Sequence, residues 1–90
     1  MPSKKPSAKQ RSNGRSPGFK NIEALINGIG DVTIGRVHAI PCAATAADEN
    51  QALAMLVRRD GESLLDLLVR LDTAIGLAWD QSIFIDEIND

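Results

Sequence analysis

The run from Leu64 to Ala78 leaves the chain few choices. Leu64, Leu68, Leu71, Ile75 and Ala78 recur at spacings of 4, 3, 4 and 3, and Leu67 and Ala74 widen the stripe. That spacing marks a helix with one apolar face. Asp66, Arg70 and Thr73 fall on the opposite side. Ser63 is placed to cap the helix, because its hydroxyl can accept from an otherwise unpaired first-turn N–H, and Asp66 completes a capping-box-like pair. Asp66 and Arg70 stand in a favourable i, i+4 order. Leu65 and Val69 add a second apolar edge, so the helix is expected to be covered on more than one side.

Ahead of it, residues 48–59 read as a shorter helix. Asp48 caps it, with Gln51 at the third helical position, and Leu53, Leu56 and Val57 sit at i, i+3, i+4. Arg58 and Arg59 fall in the last turn, where cations meet the negative end of the helix dipole. Gly61 supplies the left-handed residue that commonly ends a helix. So short a connection makes the two helices antiparallel neighbours. The expected fold class is α+β: an antiparallel helical hairpin packed with a small antiparallel β element, behind a disordered basic N-terminal tail.

The remaining segments supply a short helix and the β element. Residues 21–30 carry Ile22, Leu25, Ile26 and Ile29 at helical spacing, with Asn21 as a cap and Gly28 or Gly30 as a stop. Residues 31–40 are rich in β-branched side chains and read as a strand, with Gly35 marking a bulge that resets the alternation and Pro41 ending the strand or placing it at a sheet edge. Residues 41–47, PCAATAA, fit a loop, or the start of one longer helix reaching to 59. The run Ile83-Phe84-Ile85 fits a short strand pairing antiparallel with 31–40, or an extended tail that docks on a neighbouring subunit.

Charge divides the chain sharply. Residues 1–20 hold Lys4, Lys5, Lys9, Arg11, Arg15 and Lys20 and no acid, a charge of +6. Residues 21–90 hold four basic and all twelve acidic residues, a charge of −8. The first twenty residues have too little apolar surface to offset chain entropy, so they are expected to form a disordered tail before a single small domain over 21–90. A tail of this kind suits sequence-blind contact with nucleic-acid phosphate, or serves as a solubilising arm that folds back on the acidic body. A core this small gives little net stability by itself, and a homo-oligomer or a protein partner is the usual support. Cys42 is the only cysteine, which fits a small buried residue or a reducing compartment. No apolar run approaches the roughly 18 residues of a membrane span, and the basic start lacks a signal peptide's apolar stretch. The expectation is therefore cytoplasmic, with no membrane contact.

Little in the chain suggests chemistry. His38 is the single histidine; with Cys42 it makes an i, i+4 pair, short of the three or four ligands of a zinc site or the oriented third group of a nucleophile pair. His38 reads as a structural or surface residue, and Asp72, Asp80, Asp86 and Glu87 as solvated faces and ends. The expectation is no enzyme, no cofactor, no metal and no small-molecule substrate. Trp79 either packs under the C-terminal segment or anchors a partner.

Two resemblances attach to these residues. The run RRDGESLLDLLVRLDTAI, with DEIN near the end, resembles a string found in short bacterial proteins of unassigned function, some from mobile elements, over about the last fifty residues. The order strand, helix, glycine-containing turn, Ser-capped helix also resembles the ribbon-helix-helix family of dimeric DNA-binding repressors and antitoxins. That resemblance implies that 31–40 enters the major groove with Thr33, Arg36 and His38 toward the bases, and that Ser63 touches phosphate. Here, however, PCAATAA separates the strand from the first helix, and the body is acidic.

The leading expectation is a non-enzymatic bacterial interaction or regulatory module. It would self-associate or bind a protein through the hairpin, with Leu64, Leu68, Leu71, Ile75 and Trp79 at the interface. The second is a nucleic-acid binder using Lys4, Lys5, Lys9, Arg11, Arg15, Lys20 and Arg36. The third is an acidic inhibitor of a nucleic-acid enzyme, with Asp66 and Asp72 among the imitating charges.

Overall fold

A computed structural model describes residues 18–89. Lys4, Lys5, Lys9, Arg11 and Arg15, and with them most of the expected basic tail, lie outside the described residues. The elements in order are α1 (Lys20–Asn27), β1 (Asp31–Val37), β2 (Ile40–Ala47), β3 (Ala52–Val57), α2 (Leu64–Gln81) and β4 (Ile85–Asp86). The strands form a four-stranded sheet in the order β1-β2-β3-β4, antiparallel except for the parallel pair β3 and β4.

The expected helical hairpin is not there. Residues 41–57 form two strands in place of a loop and a helix, so the fold is α+β with two helices and a sheet larger than expected. The strand–helix–helix order of the ribbon-helix-helix resemblance is not the order found either. Two local features explain the misreading. The Asp48 carboxylate does accept backbone N–H bonds, from Asn50 and Gln51, both at 2.8 Å, while its own N–H donates to the Gln51 carbonyl. The bond that caps a helix here closes the turn between β2 and β3. The helix-like spacing of Leu53 and Leu56 comes from a register slip between Ala46 and Ala47, which lets successive residues Leu53 and Ala54 both turn into the core. Alanine's helical preference is a weak prior, and the ladders on either side of β2 override it.

The α2 expectation stands, with a rotated stripe. Ser63 caps the helix, its Oγ accepting from Asp66 N–H at 3.0 Å. The fully buried positions are Leu67, Leu71, Ala74 and Ile75, with Ala78 close behind; Leu64 is 48% exposed and Leu68 half-buried. Leucines from α2 and from Leu53 and Leu56 of β3 supply the volume. Ala44, Ala46 and Ala54 line the sheet, and their small side chains leave room for the helix to approach. Gly61 takes its left-handed conformation (φ 77), but within a turn closed by Glu62 N–H on the Arg59 carbonyl rather than at a helix end.

The last segment pairs parallel with β3, Ala54 opposite Ile85, and not antiparallel with 31–40. Helix length decides this: the 18 residues of α2 span about 27 Å, which returns the chain toward the start of β3. A strand that resumes there runs the same way as β3, as a helical crossover requires.

α1 appears where its apolar spacing places it, but Asn21 is not its side-chain cap. Asp72 of α2 does that work from 51 residues away: its Oδ1 accepts from the N–H groups of Asn21 and Ile22, both at 2.9 Å, and Asn21 Nδ2 donates to the Asp72 carbonyl at 3.0 Å. Gly76, one turn on, admits the Asn21 amide; a β-carbon there would lie 2.7 Å from Nδ2. Asp72→Ala removes an ionised acceptor from a helix start that has no local cap, a change worth about 0.5–2 kcal/mol. The expected outcome is a urea midpoint lowered accordingly, with amide exchange accelerating first in Lys20–Asn27.

Candidate interaction surface

β1 hydrogen-bonds to β2 on one side and has no strand partner on the other among the described residues. From Asp31 to Gly35 the ladder is even, Asp31 opposite Ala47 through Gly35 opposite Ala43. The register then slips between Gly35 and Val37, at the expected bulge, where Gly35 takes φ 150. Val32 and Ile34 stand opposite the core alanines Ala46 and Ala44, so both lie on the helix-covered face. Val32 is half-buried, yet Ile34 remains 40% exposed. The cause is length. α1 has eight residues, about 12 Å, against about 23 Å for the seven residues of β1.

The faces of α1 are set by its contacts. Asn21 is bonded to α2, Ala24 and Gly28 line a cleft with Trp79, and Leu25 enters the core. At 3.6 residues per turn, Ile22 and Ile26 then project from the flank away from α2, on the β1 side. Ile22 is half-buried and Ile26 is 54% exposed. Ile26 and Ile34 thus flank one margin of the fold, the margin that carries the open backbone of β1.

Charge is sorted along the strands. The β1–β2 turn holds His38, exposed and left-handed at φ 53. The pairs Val37–Ile40 and Ala43–Val57 bring this turn, Arg36, Arg58 and Arg59 to one end of the sheet. Asp31, opposite Ala47, lies at the other end, close to the Asp48–Asn50 turn. β1 itself therefore begins with an anion and nears its finish with a cation.

Arg70 was expected on a solvated face beside Asp66. Instead it organises the densest polar cluster. Its Nε and Nη2 donate to the two Glu62 oxygens at 2.7 and 3.0 Å, Nη1 donates to Glu87 Oε2 at 3.0 Å, and Nη2 also reaches the Val57 carbonyl. Glu87 Oε1 accepts from Val57 N–H at 2.8 Å, and Glu87 N–H donates to the Met55 carbonyl. Glu87, expected at a solvated end, ties the chain's last turn to β3 and α2. Hydrogen bonds from the Arg70 side chain, then from the Arg59 backbone, hold the Glu62 carboxyl down at about 2. Both carboxylates already accept from fixed donors, so the cluster acts as a clamp. An open cleft of about 620 Å³ beside it is lined by Arg58, Arg59, Asp60 and Glu62, charges of both signs.

The other sequence-derived site residues scatter. Leu71 and Ile75 are fully buried in the chain's own core, whereas Leu64 and Trp79 (43% exposed) reach the surface. Arg36 and Lys20 are exposed, Lys20 opening α1. Thr33 lies on the opposite face of β1 from Ile34. Asp72 is turned to α1, so of the two imitating acids only Asp66 faces solvent. His38 sits in the β1–β2 turn and Cys42 half-buried in β2, not in one strand. Among the described residues no helix is long and apolar enough to cross a membrane. The sequence places Arg70 and Glu87 on solvated surfaces and gives no sign that Glu62 joins them. The available hint was compositional, since an arginine in an acidic body is rarely left without a carboxylate. Comparison of the chain with protein-family models, with curated proteins and with solved structures finds no match in any of the three.

The clamp has a pH signature. A carboxyl held below its ordinary value of 4.5 stabilises the fold above that pH, and the contribution disappears as pH falls toward about 2. Arg70→Met is expected to lower the thermal midpoint at neutral pH more than Arg59→Ala does. The gap between wild type and Arg70→Met should narrow as the pH is brought down from 4.5, as read by circular dichroism melts.

Proposed function

We propose that the chain is a non-catalytic protein-interaction module that docks a partner along β1 and the isoleucines beside it. One observation carries the reading: an open strand edge coincides with exposed Ile26 and Ile34 on the same margin. Single exposed apolar side chains mean little. Next to unpaired backbone donors and acceptors, they offer a partner both hydrogen bonds and apolar area, which is how edge strands recruit an added strand. The lone cysteine supports a module that works in a reducing compartment such as the cytoplasm.

The test is affinity capture with wild-type and Ile34→Lys baits of equal thermal stability. Proteins retained by the wild type should be lost from the variant, and retention of the same set by both would overturn the reading.

A second reading is favoured by the gathering of Arg36, Arg58 and Arg59 at one end of an otherwise acidic domain. With the basic residues 1–20, that end suits the phosphates of a nucleic acid. Duplex binding measured by fluorescence anisotropy should weaken steeply with salt, and should survive removal of residues 1–17 only if the arginine end contributes. An absence of binding at low salt rules this reading out.

A further inference from the structure

We infer that the occupant of the β1 edge is a second copy of this chain, joined by antiparallel β1–β1 pairing about a two-fold axis into one continuous eight-stranded sheet. The inference rests on the reading of β1 as the docking edge and supplies its partner. Self-pairing is what the residues of this strand suit. With Thr33 on the axis, Val32 and the other copy's Ile34 stand opposite each other on the helix-covered face, and Asp31 faces the Gly35 of the other copy. Asp31 comes to the end of the pair where the other copy's Arg36 stands, so each strand meets its opposite charge twice by symmetry.

The flanking helix fits the same operation. α1 is the helix nearest the β1 margin, and its outward Ile26 lies on the face where Val32 and Ile34 of the two copies would meet. Pairing therefore brings both exposed isoleucines toward those of the second copy. The usual protections of a strand edge are thin over Asp31–Gly35: there is no lysine or proline, and the one charge, Asp31, stands at the end. The slip after Gly35 and the Arg36 side chain limit pairing to the regular stretch. The chain's own residues 1–17 are a poor alternative occupant. They contain Pro2, Pro6 and Pro17 and no valine, isoleucine, threonine or aromatic residue, the types that favour strands.

Light scattering on the full-length chain after size exclusion, at micromolar concentration and above, is the test. The expected mass is twice the 9.7 kDa of one chain. Ile34→Lys sets a charge against the other copy's Val32 on the apolar face, with the second lysine diagonal to it, and should return the mass to a single copy. Ile26→Lys, at a more exposed position that does not endanger the fold, should weaken the pair in the same direction. Leu65→Lys, at an exposed position on α2, should leave the doubled mass intact. Far-UV circular dichroism checks that each variant folds, and in the wild type the amides of residues 31–35 should exchange slowly.

A wild type that stays at single-copy mass throughout overturns the inference, as does a doubled mass that persists in both isoleucine variants. A single-copy wild type whose captured partners are nonetheless lost with Ile34→Lys overturns the second copy while leaving β1 as a docking edge. Capture insensitive to that substitution, together with a wild type at single-copy mass, removes both.

Discussion

Everything in this fold depends on α2 lying on an alanine-lined sheet. Leu67, Leu71, Ala74 and Ile75 have almost no solvent exposure, and the residues they meet in the strands include Ala44, Ala46 and Ala54. Small side chains on the sheet and large ones on the helix and β3 let the two layers approach closely. The hydrophobic effect provides the drive. The pattern also explains why α2, although written as half of a hairpin, needs no second helix of comparable length.

Two polar ties hold what the core does not reach. Asp72 gives α1 the cap that its own sequence lacks, and so binds a short helix, marginal in isolation, to the long one. Arg70 gathers Glu62 and Glu87 and with them the loop before α2 and the turn after β4. Each tie is a charge placed against groups that are distant in sequence. Such interactions are invisible to periodicity, which registers only neighbours along the chain.

That contrast marks how far the residues could be read. α1, the β1 strand with its irregularity at Gly35, and the Ser63-capped α2 each follow from local rules that nothing distant opposes. Residues 41–57 do not. Alanine favours a helix, Asp48 makes the same bond in a turn that it would make in a cap, and a register slip gives Leu53 and Leu56 a helical spacing within a strand. The candidate surface was partly legible: Ile26 and Ile34 stood in plain view, but which margin they share depends on α1 being too short to cover β1. The proposed leucine face met the reverse fate, since the sheet that consumes Leu71 and Ile75 was itself unforeseen.

The two margins of the sheet are unlike. β4 is two residues long, its Asp86 carboxylate turns back to accept from the N–H groups of Ile88 and Asn89, and Glu87 is already committed to β3. This border has little left to offer an incoming strand, while the β1 border is open and regular from Asp31 to Gly35. A ribbon that can lengthen from both sides has no natural stopping point and grows into fibres; one with a single receptive side stops after one joining. On the proposed pairing, the clipped, self-satisfied strand β4 would act as a terminator and set a finite size for whatever is built on this sheet.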